Sequence, residues 1–495
     1  MTEHLPVLIP LVLLTAALAS PLFGLIRHSW TYRITVAAVA LDAGLTMWGL
    51  AEVIADGPMS YRLGGWVPPI GIEFVLDPLS AFFATVIAVV ALVVLVGARA
   101  LVAEELPEKE VPFFVAVLLM LTGFQGIVIT GDLFNLFVFM EIGALAAYAL
   151  VAVGERPSPV AAFRYLLIGA TGASLYLLGL WFVYSLTGSL NMADVAAILP
   201  TVWDNPAMVI GLSLIVVGLG VKMAMFPMHG WLPDAYTQAP SAASALIAPI
   251  GTKVGAYALI RILFFVFGVR LVRDRLAVTD VVLWLSAVGI IYGSVMAIAQ
   301  REMKRMLAYS SVAQVGYIGL GIGLANPVGL IGAVLHVVNH AFMKAALFVV
   351  AGNMRVKLGH TDIGRIDAAV QRAMPWTMAA FTVGALSMIG VPPTAGFFSK
   401  WYLASGAIDR GLWIMVLVIL VSSLLNAVYF FRVLERAYLR SGDREEGTEA
   451  ASGRNEARPV MLVPALLLAA GIVALGVFNA VLVNGVIDLI RPAGL

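Results

Sequence analysis

The sequence predicts an all-α, polytopic membrane protein of about fourteen transmembrane helices, with two inverted five-helix repeats and interrupted seventh and twelfth spans. Three observations predict it. Of 495 residues, 61% are hydrophobic and only 12% charged, where a soluble domain carries about 25% charge. Mean hydropathy is +0.98, and the apolar residues come in runs such as those around Val115–Val128, Val209–Val221 and Trp413–Leu425. A helix needs about 20 such residues to cross a bilayer, whereas barrel strands alternate over about 10. Finally, the basic residues gather in alternate loops.

Breaks at charges, Pro and Gly place the spans in order. They begin near residues 5, 33, 76, 111, 132, 162, 206, 241, 277, 304, 326, 375, 412 and 460. The first is read as a span and not a cleaved signal peptide. Ala17-Leu18-Ala19 resembles a cleavage site, but Met1–His4 lacks Lys and Arg and so has no positive n-region. Asp77, before Pro78, and Asp132 are placed as N-caps of the third and fifth spans. Pro227 interrupts the seventh span and Pro392-Pro393 the twelfth. Arg440–Arg458, rich in Glu, Gly, Ser and Arg, reads as a flexible loop. The expected organisation is spans 1–3 in residues 1–110, a first repeat in 111–270, a second in 277–440, a polar cytoplasmic loop at 441–459 and a last span in 460–495.

The positive-inside rule tests this count. Loops after odd-numbered spans hold 19 of the 30 basic residues, loops after even-numbered spans six, and five lie within spans. Both termini are therefore expected to face away from the cytoplasm. The absence of cysteine excludes disulfides, thiolate zinc sites, iron–sulfur ligation and thiol catalysis within this chain. A net charge of +1 argues against a nucleic-acid partner.

The two interrupted spans resemble each other. Pro227-Met228-His229-Gly230-Trp231-Leu232-Pro233-Asp234-Ala235-Tyr236 can be laid on Pro393-Thr394-Ala395-Gly396-Phe397-Phe398-Ser399-Lys400-Trp401-Tyr402 at an offset of 166, with Pro, Gly, an aromatic and Tyr coinciding. Nearly the same offset carries spans 4, 5, 6 and 8 onto 9, 10, 11 and 13. Units of five helices must lie upside down relative to one another, the plan of secondary transporters, whose paired broken helices mark the transport site.

A charge at the bilayer centre costs about 2.5–3.5 kcal/mol on insertion scales, so the charges within spans need a reason. Glu141 lies nine residues into the fifth span, ~13 Å along it. Lys222 precedes the Pro227 break by five residues, Lys253 follows Pro249 and Gly251, and Lys400 follows the Pro392-Pro393 break. His336, His340 and Lys344 recur every four residues and share one helix face. Four of the seven lysines lie within spans, against one of 23 arginines. Buried Lys gives up its proton and Arg does not. Burial disfavours the ammonium and a nearby carboxylate favours it, so a Lys beside Glu141 is switched by moving that carboxylate. Glu141, Lys222, Lys253, His336, His340, Lys344 and Lys400 are thus the candidate proton path.

Plainer readings stand beside this one. Glu141 and Lys222 are also suited to a static ion pair locking two helices. Lys344, near one helix end, is also suited to snorkelling, and Arg261 is expected to snorkel. His336 and His340 lack a nearby Cys or carboxylate at ligand spacing, so no metal site or cofactor is expected. Asp42 lies outside the repeats and is expected to be a satisfied structural carboxylate.

Gly131-Asp132-Leu133-Phe134-Asn135-Leu136-Phe137-Val138-Phe139-Met140-Glu141 resembles the fifth-helix signature of the antiporter-like subunits. These are shared by Mrp-type cation/proton antiporters, respiratory complex I and membrane-bound hydrogenases. His229-Gly230-Trp231-Leu232-Pro233-Asp234-Ala235 is similar to their seventh-helix break, and Asn339-His340-Ala341-Phe342-Met343-Lys344-Ala345 to their eleventh helix. The resemblance covers essentially the whole chain. Within it, Val75–Ser80, Thr252–Gly255 and Gly396–Trp401 resemble the D subunits of Mrp-type Na⁺/H⁺ antiporters most. The distal complex I subunit has a long lateral helix for which this chain has no room, and the medial one usually has Glu where Lys400 stands.

The resemblance implies a role for each residue. Glu141 and Lys222 would form a gating ion pair, Lys253 a central carrier aided by hydrated His336 and His340, and Lys400 a link to a second half-channel. It implies a multi-pass subunit in a bacterial inner (plasma) membrane, with other membrane subunits as partners and protons and Na⁺ as cargo. The alternative is a proton-pumping subunit of a redox complex, either an NADH:quinone oxidoreductase or a membrane-bound hydrogenase. Redox chemistry would then belong to partners, so in neither case is the chain itself expected to be an enzyme. A third class, an inert scaffold, predicts no preference for Lys among buried cations; the four-to-one bias counts against it.

Overall fold

The computed structural model describes residues 2–155, 157–440, 455–492 and 494–495. Most of the expected polar loop, 441–454, lies outside the described residues, and with it Arg444 and Arg454; so does Arg156. The first six helices are α1 (Leu5–Ile26), α2 (His28–Asp56), α3 (Pro78–Glu105), α4 (Glu110–Ile129), α5 (Leu133–Ala152) and α6 (Ser158–Thr187). The seventh is in two pieces, α7a (Pro206–Met223) and α7b (Leu232–Gln238). There follow α8 (Ser241–Ile260, continued as a π-turn over Arg261–Val266), α9 (Val278–Ile298), α10 (Met303–Leu324) and α11 (Pro327–Leu358). The twelfth is again divided, α12a (Pro375–Ile389) and α12b (Ala395–Asp409), before α13 (Trp413–Leu439) and α14 (Pro459–Val477). Among the described residues, thirteen helices are long and apolar enough to cross a membrane. The fourteenth crossing is α12, whose halves are too short to qualify singly.

Asp77 and Asp132 are N-caps. The Ser80 N–H donates to Asp77 Oδ1 (2.9 Å) and the Asp77 N–H to Ser80 Oγ (2.7 Å), a reciprocal capping box. The Asn135 N–H donates to Asp132 Oδ1 (2.7 Å). Two starts are earlier than expected: α2 at His28 and α6 at Ser158, where hydropathy placed them near 33 and 162. Their first turns carry His28, Ser29, Ser158 and Pro159, which a hydropathy window rejects. A helix runs on into the interfacial region, where such residues are tolerated. Hydropathy also passes over a small hairpin, β1 (Met59–Arg62) antiparallel to β2 (Glu73–Leu76), and short helices over Met192–Val202, Ala368–Ala373 and Asn479–Gly485.

The two units are visible in backbone hydrogen bonds. Ahead of α5, Asp132 forms an isolated antiparallel bridge with Asn191. The Leu133 N–H donates to the Leu190 carbonyl and the Met192 N–H to the Gly131 carbonyl, both at 2.8 Å. Ahead of α10, Glu302 bridges Asp362 in the same way. The Met303 N–H donates to Thr361 (2.9 Å) and the Ile363 N–H to Arg301 (2.8 Å). The first bridge joins loops after even-numbered helices and the second joins loops after odd-numbered ones. The same device therefore stands at opposite ends of the bundle, as inversion requires. Pro227 and Pro393, which the offset lays on one another, each follow a cis peptide bond.

Burial sorts the helices against their hydropathy. The apolar windows of α8, α10 and α11 are among the least hydrophobic (1.5, 1.3 and 1.6) yet 94–100% buried, while that of α13 reaches 2.4 and is 33% buried. A helix facing lipid gains from apolar side chains all round. One surrounded by other helices can carry polar groups if each finds a partner. The bundle centre is therefore α8, α10 and α11, and Lys253, His336, His340 and Lys344 on α8 and α11 are all buried there.

Candidate proton-translocation site

On α5, Glu141 is set by close packing against α4. A Cβ at Gly123 would stand 2.3 Å from the Gly143 nitrogen, so the two backbones touch where only glycine fits. Glu141 meets Lys222, in the last turn of α7a: Lys222 Nζ donates to Glu141 Oε1 at 3.0 Å. The ammonium also sits at the negative end of the half-helix. Beside it is a cavity of about 40 Å³ whose wall includes Phe124, Tyr165, Gly251 and Gly255, so it reaches from Lys222 to α8. The α7 break is closed by Trp231, whose Nε1–H donates to the Val221 carbonyl (2.9 Å), an acceptor it shares with the Ala224 N–H (3.0 Å).

Lys253 is buried midway along α8. Its Nζ donates to the Ala248 carbonyl (2.8 Å) and lies 3.3 Å from Thr252 Oγ1. On α11, His336 and His340 stack with ring centroids 5.9 Å apart. His336 bridges two helices, through Nδ1 to Ser399 Oγ on α12b (2.8 Å) and Nε2 to Gln314 Oε1 on α10 (3.0 Å). Both ring nitrogens of the fully buried His340 lack a partner among the described residues. Lys253, Lys344 and His336 all lie within electrostatic reach of His340.

Lys400, on α12b, reaches back across the second break. Its Nζ donates to the Met388 (3.0 Å) and Ile389 (2.9 Å) carbonyls ending α12a and to Ser423 Oγ (3.1 Å), and stands 5.0 Å above the Tyr317 ring. Tyr317 in turn packs on His336. Polar groups thus recur from Glu141–Lys222 past Lys253 and the two histidines to Lys400, in contact from His340 through His336 and Tyr317 to Lys400. Lys253, Lys344 and Lys400 have no carboxylate within 4.0 Å among the described residues; they contact only neutral acceptors.

Four expectations need correction. Lys344 does not snorkel: it is fully buried and donates to the Leu307 carbonyl (2.7 Å) and to Ser310 Oγ on α10. Arg261 does not snorkel either. Asp77, 184 positions away in sequence, receives both its Nη groups at 2.6 and 2.7 Å, and Tyr257 Oη receives Nε. Asp42 is only half satisfied. Gln125 Nε2 donates to Oδ2 (2.8 Å), but Oδ1 has no partner among the described residues. Lys304, expected in a loop, is buried at the start of α10 with Nζ on the Ala239 carbonyl (2.5 Å). Gln314, Tyr317, Ser399 and Ser423 escape sequence reading because neutral polar residues are common in spans and none stands out by charge.

A bundle of two inverted units with paired broken helices and ionisable residues at the crossing defines a polytopic membrane protein of the antiporter-like class. The chain belongs to the family described as "NADH:quinone oxidoreductase/Mrp antiporter, TM", which it matches over residues 130–426. It is 46% identical to NADH-quinone oxidoreductase subunit N of Desulforudis audaxviator over 99% of both chains. It is 30% identical to the D subunit of the Na⁺/H⁺ antiporter of Bacillus subtilis, over 88% of this chain and 86% of the relative. Two solved structures superpose on it. A chain of the Mrp complex from Dietzia sp. gives a TM-score of 0.88 at 25% identity, covering 99% of this chain and 96% of its own. A chain of the archaeal membrane-bound sulfane sulfur reductase gives 0.90 at 31%, covering 98% and 96%.

Proposed function

We propose that this chain moves protons across the membrane as one subunit of an Mrp-type monovalent cation/proton antiporter. The observation that carries this reading is the row of buried lysines with only neutral acceptors, beginning at a single Lys222–Glu141 pair. A static counter-charge needs a partner, and Arg261 has one in Asp77. An ammonium without one is costly to keep in the membrane interior and readily releases its proton. The proton held at Lys222 by Glu141 is pushed onward when the pair opens. Lys253 receives it, the two histidines extend its reach along α11, and Lys400 delivers it to the second unit. Residues 111–270 and 277–440 supply the two half-channels. The cation is Na⁺, the partners are other membrane subunits, and the complex lies in a bacterial plasma membrane with both termini outward. Likeness to the Bacillus antiporter chain and to the Mrp complex supports this setting.

The 46% identity to the Desulforudis oxidoreductase chain favours a second setting, in which the same path pumps protons within a redox complex whose cofactors belong to other subunits. Gentle extraction and mass spectrometry of co-purifying proteins separates the two. Small membrane subunits alone fit the antiporter; flavin or iron–sulfur proteins fit the redox complex. The path itself is tested in vesicles carrying the assembled complex. Glu141→Gln, Lys222→Ala and Lys253→Arg should each lower proton flux by about tenfold or more, on the scale of lost acid–base groups. Lys253→Arg keeps the charge but does not release the proton. Unchanged flux in all three sinks the proposal.

A further inference from the structure

Lys304 is absent from the polar row, yet at 1% exposure it is buried more completely than Lys253 or Lys400. Its Nζ donates to the carbonyl of Ala239, the C-cap just after α7b. Ala239 also forms part of the wall of a polar cavity of about 90 Å³, together with Glu105, Glu155, Gln238 and Arg355. Those residues stand at or just beyond the C-terminal ends of α3, α5, α7 and α11, so the cavity opens on the face that holds the basic loops. Glu105 is held in place by the Ser241 N–H (2.7 Å) and hydroxyl (2.5 Å) and by Arg355 at 3.7 Å. Glu105 and Glu302 lie within electrostatic reach of Lys304, but neither is within 4.0 Å of it among the described residues. Lys304 is therefore a buried ammonium with one neutral acceptor, directly behind a solvent-facing polar pocket.

Inward, the next turn of α10 holds the two acceptors of Lys344. Leu307 is three residues beyond Lys304, about 4.5 Å along the helix, and Ser310 is one turn further. Lys344 shares its face of α11 with His340. The order from the pocket is thus Lys304, Lys344, His340, Lys253.

We propose that Lys304 is the proton-exchanging group at the inner end of an access channel from the basic-loop face, passing protons between that solvent and the central row through Lys344. The inference rests on the proton-transport reading. Each transfer makes one N–H bond and breaks another, with the donor amine left neutral until the next proton arrives. A lysine serving only to cap α7b would make the same hydrogen bond, but arginine would serve that purpose as well.

Because the chain has no cysteine, label on this chain, resolved from its partners by mass, reports the introduced cysteine alone. In vesicles of the assembled complex, Gln238→Cys should react with a membrane-impermeant maleimide from the basic-loop face and not from the other. Absence of labelling from that face, or labelling from the opposite one, overturns the proposal. Lys304→Arg should retain the thermal stability of the parent complex while proton flux falls about tenfold or more. Full flux in Lys304→Arg, with flux lost in Glu141→Gln, overturns this inference alone. Full flux in every variant overturns the transport reading with it. If Lys304→Arg fails to assemble, the labelling result decides.

Discussion

Two carboxylates in this protein, Asp77 half-buried and Asp42 fully buried, meet opposite fates. Asp77 is bound bidentately by Arg261 and caps α3, whereas among the described residues Asp42 has a single neutral donor and no cation beside it. Removing one partner of a buried ion pair leaves the other uncompensated, so Asp77→Asn should cost about 3–5 kcal/mol. Asp42→Asn keeps the shape and loses no charge partner, so it should cost less than about 1 kcal/mol. Thermal unfolding of the purified complex reads both; equal losses would contradict the contrast. Asp77 also sets a pH dependence. Burial alone would raise its carboxyl, but the Arg261 charge and the hydrogen bonds from Arg261 and Ser80 outweigh it and hold the group below the usual carboxylate range. A depressed folded-state value stabilises at every pH above the unfolded value, about 3.9, and the benefit fades as pH falls through the folded one. Stability should therefore drop on the acid side in the parent chain, with this step missing from Asp77→Asn.

At the scale of elements, both broken helices end inside the bundle, and a side chain from beyond the break donates to carbonyls of the last turn. Trp231 serves α7a and Lys400 serves α12a. The turns need special residues. Ala224, just after α7a, has φ +60°, a left-handed conformation that costs an L-residue roughly 1–2 kcal/mol. Ala224→Gly should relieve that strain, less the entropy of glycine, and raise the stability by up to about 1 kcal/mol. A lowered Tm would refute it. At the other break, a Cβ on Gly396 would lie 1.9 Å from the Ser387 carbonyl oxygen. That neighbour is backbone and has little room to yield, so Gly396→Ala should destabilise by about 1–3 kcal/mol and displace Lys400, seen as reduced proton flux in vesicles.

At the scale of the whole molecule, inversion makes a prediction about sides. An even number of crossings returns the chain to the face where it began, and loops after odd and even helices lie on opposite faces. Arg62→Cys and Arg365→Cys should accordingly react with an impermeant thiol reagent from opposite sides of the membrane. Labelling of both from one side would break the helix count. Much of this scale is legible in the chain. The apolar runs are long, the solvent they fit is apolar, and the loop charges are lopsided, so the span number and an expected orientation follow from composition alone. The candidate site is legible where a charge interrupts an apolar run, as at Glu141, Lys222, Lys253 and Lys400. It is not legible at Lys304, whose position at a helix start reads as a loop, nor at Arg261, whose partner lies far off in the chain.

By itself, then, the sequence determined the membrane as solvent, the fourteen crossings, the two broken helices and the unusual choice of lysine for buried cations, because each is a local property of composition or spacing. Only the tertiary structure decided which charges meet. It pairs Lys222 with Glu141 and Arg261 with Asp77, leaves Lys253, Lys344 and Lys400 to neutral acceptors, and buries Lys304 behind a polar pocket. Those outcomes depend on how α8, α10 and α11 pack at the centre of the bundle, and no window along the chain contains contacts between residues so far apart in sequence.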